Sequence, residues 1–277
     1  MCTMPIAKLS DRQTKDLSNN ITLDSSHESS RLIAMRHTAR IALIPVPHQR
    51  VKPMPAKVAS NTSRVSPWLT SLLYPLGHYV VLPSYFGKIQ ITGQEHLPKD
   101  GPVILAPTHR SRWDAMMMPY STGQKVTGRD LRFMVTADEV KGLQGWFIKN
   151  LGGFAVDIRH PAISSLRYGV ELLLDKQMLV IFPEGGIFQD GEVHPIKPGL
   201  ARLAIQAESS EPGLGVKIVP MSIRYRPRVP RWGSEVKIAI GSPLSVIDYA
   251  KSGSTKKEAR LLTADLEIAL KSLDESY

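Results

Sequence analysis

Cysteine is almost absent from this chain of 277 residues, in which the single cysteine is Cys2. No intramolecular disulfide can therefore form, and metal cages built from several cysteines are excluded. The core must form by apolar packing alone, and the 42% hydrophobic content is enough for one sizeable α/β domain. A reducing compartment is the simplest setting for such a chain.

Acidic residues are missing from a long N-terminal stretch. No Asp or Glu occurs between Glu28 and Glu95, whereas eight Lys or Arg residues lie in that span. Much of the net charge of +10 is therefore concentrated there, which suits contact with phosphate-rich partners such as anionic lipid, nucleic acid or phosphorylated metabolites. Nucleic acid is disfavoured, because the basic residues are not interleaved with aromatic residues and no nucleic-acid-binding motif is present.

The composition divides the chain into three parts. Residues 1–63 are rich in Ser, Asn, Pro and basic residues without a sustained apolar period, which predicts a disordered or weakly ordered tail. The run IALIPV at 41–46 is too short for a secretory signal, whereas the basic, acid-poor composition is compatible with an organelle transit peptide. Residues 64–87 form the second part, and residues 88–277 are predicted to form the main folded domain.

Long uncharged apolar runs are also lacking, with one exception. The stretch PWLTSLLYPLGHYVVLPSYF at 67–86 has no formal charge and is about as long as a bilayer span. Pro75, Gly77 and Pro83 interrupt it, which disfavours a straight spanning helix, and its Trp and Tyr side chains favour the headgroup level of a membrane. We expect residues 64–87 to form a bent, interfacial helical pair; a buried hairpin and a true span are the alternatives.

From residue 88 onward, short apolar runs alternate with helical stretches. This alternation predicts an α/β fold with a central mixed, largely parallel sheet that is flanked by helices. Leu166, Val170 and Leu173 recur at helical spacing, as do Leu262 and Leu266 in the last segment. The expected strands are residues 88–92, 103–107, 132–136, 154–157, 179–182, 217–223 and 235–240.

A histidine and an aspartate stand five positions apart in PTHRSRWDAMMM at 107–118. We expect His109 in the loop after a buried strand, and Asp114 in the first turns of a helix for which Ser111 is the N-cap. A carboxylate bonded to one imidazole nitrogen sets the tautomer and leaves the other nitrogen free to accept a proton. His109 and Asp114 are thus a candidate general base and its partner, although this spacing alone is a weak signal.

A second signal is IFPEGGIF at 181–188, where an apolar strand ends in Pro183, Glu184 and two glycines. Glycine lets backbone amides approach a ligand closely, and open α/β sheets bind substrates at the carboxyl ends of their strands. A simple turn between a strand and a loop is the alternative for this segment taken alone. Together with the His109 segment it forms a much more specific pattern.

Four short blocks resemble those of the glycerolipid acyltransferase family, which includes lysophosphatidate and glycerol-3-phosphate acyltransferases. They are H-x4-D at 109–114, G-x5-R at 153–159, F-P-E-G at 182–185 and V-P at 219–220, in the family's order. The resemblance covers residues 88–244 and implies the glycerolipid acyltransferase fold. It also implies transfer of a fatty acyl group to the free hydroxyl of lysophosphatidate, with His109 as general base and Asp114 as its support.

The resemblance implies roles for further residues. Arg159 would bind the acceptor phosphate, while Glu184 would organise the acceptor-binding turn and Gly185 would open space for the glycerol. Many family members have an arginine shortly after F-P-E-G, whereas residues 186–188 here are Gly, Ile and Phe, so other cations must contribute. The candidates for these contacts, or for contacts with anionic headgroups, are Lys197, Arg110 and Arg112.

No cofactor or metal is expected, because a thioester is already activated and its thiolate is a good leaving group. The expected partners are acyl carrier protein or acyl-CoA as donor, lysophosphatidate, and an anionic membrane surface. The expected location is the cytoplasmic face of a membrane, which includes a plastid or other organelle membrane. Glycerol-3-phosphate or another lysophospholipid as acceptor stays open, as does a basic protein that binds membranes without catalysis.

Overall fold

The computed structural model describes residues 63–156, 163–250 and 255–275. These residues form an α/β domain around one sheet of eight strands. The tail predicted for residues 1–63 lies outside the described residues except for its last position.

The strands follow the apolar runs of the sequence closely. β2 and β5 are buried along their whole length, as expected for parallel strands that are covered on both faces. β6 extends three residues beyond the predicted end at residue 223. The strands are β1 (Phe86–Thr92), β2 (Val103–Pro107), β3 (Leu131–Thr136), β4 (Gly153–Val156), β5 (Met178–Val180), β6 (Lys217–Arg226), β7 (Ser234–Ile240) and β8 (Leu244–Ser245).

The sheet is mixed and largely parallel, which confirms the predicted fold class. Its strand order is β1-β7-β6-β2-β5-β3-β4, and β8 pairs with β6. β7 and β8 run antiparallel to β6, while the other neighbours are parallel. β2 lies between β5 and β6, so the carboxyl ends of these three strands meet at one edge of the sheet.

Helices cover both faces of this sheet. On one face, Leu173, Leu203 and Leu266 belong to a buried cluster that joins three helices to the strands. On the other face, Leu82 and Met117 pack in a second buried cluster. The helices are α1 (Pro67–Leu76), α2 (Leu82–Tyr85), α3 (Asp114–Thr122), α4 (Gln124–Thr127), α5 (Gly142–Asn150), α6 (Ile163–Leu174), α7 (Gly199–Ser210) and α8 (Thr255–Glu275).

The apolar segment before β1 forms one helical run instead of the expected pair of helices. α1 continues through a π-helical turn, Gly77–Val81, directly into α2. Pro75 has no N–H for the helical ladder, and a wider turn is one way in which a helix accommodates such a break. Within the described residues, no helix combines the length and the apolar character that crossing a bilayer requires.

Candidate active site

His109 and Asp114 meet at the edge of the sheet where β2 ends. His109 lies in the loop after β2, and Asp114 is the first residue of α3. The loop lets the carboxylate fold back, so that His109 Nδ1 and Asp114 Oδ2 are 2.9 Å apart. Ser111 is not the N-cap as predicted, because α3 starts later and Trp113 occupies that position.

Asp114 is held by several donors inside the protein, where it has no exposed surface. Its Oδ2 atom also accepts hydrogen bonds from the backbone N–H groups of Arg110 at 2.6 Å and Ser111 at 2.9 Å. Its Oδ1 atom accepts a hydrogen bond from the Tyr225 hydroxyl at 2.6 Å. These contacts fix the orientation of the carboxylate and therefore of the imidazole bonded to it.

Tyr225 is a site residue that the sequence did not reveal. It lies on β6, which is parallel to β2 and ends at the same edge of the sheet. Burial, and then the charge of Asp114, raise the pKa of the Tyr225 hydroxyl well above its ordinary value. Tyr225 therefore stays protonated and donates to Asp114. The two residues are 111 positions apart, so no local motif could have linked them.

The ring of His109 is fixed on a second side by Phe182, the first residue of the F-P-E-G block. The two rings are stacked, with centroids 3.9 Å apart and planes inclined by 22°. Nδ1 donates to Asp114, so Nε2 is the nitrogen that can accept a proton from a ligand. The imidazole lines a large cavity, which gives Nε2 access to a substrate.

Arg110 and Glu184 form a buried ion pair behind this histidine. Arg110 Nη1 lies 2.7 Å and 3.0 Å from the two carboxylate oxygens, and the side chains are only 3% and 0% exposed. Arg110 Nη2 donates to the carbonyl of Glu192 at 2.8 Å. The prediction that Arg110 contacts a phosphate or headgroup is therefore wrong, because its charge is neutralised inside the protein.

Glu184 ties the F-P-E-G turn to the histidine loop. Its Oε2 atom accepts the backbone N–H of His109 at 3.0 Å, and Oε1 accepts that of His194 at 3.2 Å. All of these partners are protein groups, and the carboxylate is enclosed. Glu184 thus organises the turn, and its neighbours are the residues that face the cavity.

Gly185 and Lys197 lie beside each other in the lining of the cavity. Gly185 has a φ of 71°, in the left-handed region that favours glycine. A Cβ atom at this position would lie 2.6 Å from Lys197 Nζ, so the glycine also makes room for the lysine. Lys197 is exposed, and its ammonium has no ion-pair partner among the described residues.

The other two predicted phosphate ligands have different outcomes. Arg112 lines the cavity, but its 73% exposed side chain makes two 3.0 Å hydrogen bonds to Glu139. These hydrogen bonds lower the pKa of the Glu139 carboxyl. Arg159 lies outside the described residues, as does Asp157 near it.

The cavity that His109 lines has a volume of about 2040 Å³. This exceeds the about 300–1,000 Å³ of ordinary small-molecule pockets. Apolar side chains from several helices and strands line it, among them Leu73, Val81, Met116 and Phe133. Its size and lining suit a long apolar chain, and Arg112 and Lys197 also line it.

Comparison with known proteins identifies the family. A family model described as Acyltransferase matches residues 88–224. A 1-acyl-sn-glycerol-3-phosphate acyltransferase from Bacillus subtilis is 25% identical over 191 residues, which are 66% of this chain and 87% of that protein. The crystal structure of the 1-acyl-sn-glycerophosphate (LPA) acyltransferase PlsC from Thermotoga maritima has a TM-score of 0.56 and 21% identity, and the match covers 75% of this chain and 79% of that one. The chain belongs to the glycerolipid acyltransferase family.

Membership confirms the resemblance seen in the sequence, and the structural similarity confirms the fold. The family also contains proteins named for another acceptor. The mitochondrial glycerol-3-phosphate acyltransferase 1 of Mus musculus is 26% identical over 188 residues, which are 62% of this chain but only 22% of that protein. Acyl transfer is common to these relatives, and the acceptor differs between them.

Proposed function

We propose that this protein transfers a fatty acyl group from an acyl thioester to the free hydroxyl of lysophosphatidate, which yields phosphatidate for phospholipid biosynthesis. The observation that carries the proposal is the His109–Asp114 pair in the lining of a large, mainly apolar cavity. The pair supplies a base whose tautomer is set, and the cavity supplies room for acyl chains.

In the proposed reaction, the acceptor oxygen attacks the thioester carbonyl carbon while His109 Nε2 takes the hydroxyl proton. A C–O bond forms, and the former carbonyl oxygen carries the negative charge of the tetrahedral intermediate. Collapse of the intermediate breaks the C–S bond, and the leaving thiolate takes the proton back from the imidazolium. Asp114 stabilises that imidazolium between the two steps. The reaction needs no cofactor, because the thioester is already activated.

The acceptor phosphate is proposed to contact Arg159, Lys197 and Arg112. Guanidinium and ammonium groups form charge-assisted hydrogen bonds with phosphate oxygens and stay charged at neutral pH. Lys197 supports this assignment most directly, since it lies beside Gly185 in the same cavity as His109. A phosphate bound to Lys197 would leave the glycerol hydroxyl in the cavity that His109 lines.

Changing Arg159 to alanine is expected to raise the KM for lysophosphatidate about tenfold or more, because a hydrogen bond to a charged group contributes about 1.5–3 kcal/mol. Little change in kcat is expected, since the contact is made equally in the ground and transition states. Initial rates at saturating donor measure both constants, and Arg231→Ala, in the turn between β6 and β7, is the control. An unchanged KM would remove Arg159 from the site.

The acceptor itself is tested by a direct comparison. The purified protein is given palmitoyl-CoA with lysophosphatidate, glycerol-3-phosphate or lysophosphatidylcholine, and each product is quantified. We expect the highest kcat/KM with lysophosphatidate. A clear preference for glycerol-3-phosphate would replace our proposal with the alternative, which the absent arginine after F-P-E-G and the mouse relative support.

We also propose that α1 rests on an anionic membrane, at its cytoplasmic face. Trp68 and Leu72 are 63% and 60% exposed, and Leu76 and Tyr79 are exposed as well. Their spacing of three or four residues places them on one side of the helical run. An exposed apolar stripe of this kind marks a contact surface, and tryptophan favours the headgroup level of a bilayer.

The double change Trp68→Ala with Leu72→Ala is expected to weaken binding to phosphatidylglycerol vesicles about tenfold or more, because each side chain loses apolar area worth over 1 kcal/mol. Flotation assays measure the bound fraction. Ile268→Ala, an exposed apolar residue of α8, is the control. If the double variant binds vesicles as the wild-type protein does, α1 is not the contact surface.

A further inference from the structure

A groove between α7 and α8 carries three cations that have no part in the steps above. Arg202 of α7 and Lys256 and Arg260 of α8 line it, together with Pro198 and Thr263. Its volume is about 380 Å³. This lies within the range of small-molecule pockets, about 300–1,000 Å³.

The groove adjoins the catalytic cavity. Arg202 and Lys256 line both spaces, whereas His109 lines the cavity alone. The first residue of α7, Gly199, also lines the cavity. An elongated ligand can therefore have one end at His109 and the other end in the groove.

The cations of the groove are not neutralised by neighbouring acids. Lys256 and Arg260 are four residues apart on one face of α8, where like charges repel each other. All three cations are exposed, and none has an ion-pair partner among the residues that the structure describes. The acid that lines the groove is Glu267, and its carboxylate already accepts a hydrogen bond from Lys271 at 2.6 Å. The groove is therefore positive.

The direction of α7 adds to this positive potential. The helix begins at Gly199, next to the groove, and has 12 residues. Its N-terminal N–H groups and dipole favour a negative group at that end. A phosphate group suits this end of the groove, because arginine offers two parallel N–H donors and lysine offers a mobile ammonium.

We propose that this groove binds the phosphates in the nucleotide half of an acyl-CoA donor, while its pantetheine arm places the thioester at His109. The inference rests on the proposed acyl transfer and assigns the donor for it. Coenzyme A carries a 3′-phosphate and a 5′-diphosphate on one adenosine, at the far end of a long arm from the sulfur. A small concave site with three cations matches this polyanion. Separate cations thus hold the donor phosphates and the acceptor phosphate.

The triple variant Arg202→Gln, Lys256→Gln and Arg260→Gln tests the assignment in kinetics. Its KM for palmitoyl-CoA is expected to rise about tenfold or more, because several modest exposed charge contacts are lost together. The KM for lysophosphatidate and the kcat should change by less than about twofold, since both describe steps at His109. Lys257→Gln, an exposed residue of α8 that does not line the groove, is the matched control.

A donor without the nucleotide gives a second comparison. S-palmitoyl-pantetheine keeps the thioester and the arm but has no adenosine phosphates. We expect the wild-type protein and the triple variant to have the same KM for it. An unchanged KM for palmitoyl-CoA in the triple variant, or an equal loss with both donors, would overturn the proposal.

A binding measurement separates this inference from the proposed reaction, because it requires no turnover. Adenosine 3′,5′-bisphosphate is titrated calorimetrically into the wild-type protein, Lys257→Gln and the triple variant. We expect the first two to bind and the triple variant to lose binding, whatever the acceptor is. Equal binding by all three proteins would overturn the assignment of the groove as the phosphate site. A second contrary outcome is that the wild-type protein fails to bind the bisphosphate while the triple variant has a raised KM for acyl-(acyl carrier protein). That pair of results would overturn the proposal and assign the three cations to a protein donor.

Discussion

Replacing His109 with alanine is expected to lower kcat by about 10³-fold, because a general base typically contributes about 10²- to 10⁴-fold. The KM for either substrate should change little, since the cavity and its cations remain. Release of free thiol from palmitoyl-CoA in the presence of lysophosphatidate measures the rate. The change should leave the fold intact, because the imidazole borders the cavity and Asp114 keeps its three other donors.

Two further variants serve as controls for the His109→Ala result. His109→Gln keeps a donor for Asp114 but has no basic nitrogen, so its kcat should fall as far as that of the alanine variant. His96→Ala removes a ring whose Nδ1 atom contacts the carbonyl of Ile240, and it should keep the wild-type kcat. Wild-type turnover by His109→Ala would remove His109 as the base, whereas absence of turnover by the wild-type protein itself would leave a membrane-binding protein as the better account.

Glu184→Gln is expected to lower the free energy of unfolding by about 3 kcal/mol, because it leaves the charge of Arg110 buried without its counter-charge. For a chain of this size, the melting temperature should fall by about 6–12 °C. Thermal unfolding followed by circular dichroism measures the change. Activity should fall as well, since Glu184 accepts the backbone N–H of His109.

The double variant Arg110→Met with Glu184→Gln distinguishes the effect of the unpaired Arg110 charge from the effect of the substitution on the F-P-E-G turn. Removing the buried cation as well should restore part of the stability, while the single amide oxygen of glutamine can still accept from one of the two backbone N–H groups. Asp138→Asn breaks an exposed pair with Lys141 and should leave the melting temperature unchanged. Equal stability of Glu184→Gln and the wild-type protein would show that the buried pair contributes nothing to folding.

The strands and the central pair of the site were predictable because their signals are local. A run such as VILAP at residues 103–107 is apolar throughout, which is typical of a strand covered on both faces. His109 and Asp114 are five residues apart, so one loop and one helix start suffice to bring them together. Phe182 and Glu184 follow β5, and neighbouring parallel strands end at one edge.

Other features of the site were not accessible in this way. Arg110 and Arg112 look alike in the sequence, yet Arg110 is buried against Glu184 and Arg112 is exposed beside Glu139. Pro75 indicated a break between two helices, whereas the chain continues through a π-helical turn. In both cases the outcome depends on what packs nearby, which local composition does not specify.

The amino-acid sequence by itself determined the class of fold, the histidine and aspartate of the candidate site, and the family, because alternating apolar runs and short motifs depend on neighbouring residues. Only the tertiary structure decided that the Tyr225 hydroxyl donates a hydrogen bond to Asp114, and that Arg202 of α7 lines one groove with Lys256 and Arg260 of α8. The physical reason is that burial and charge pairing are set by strand order and helix packing, which bring together residues far apart in the chain.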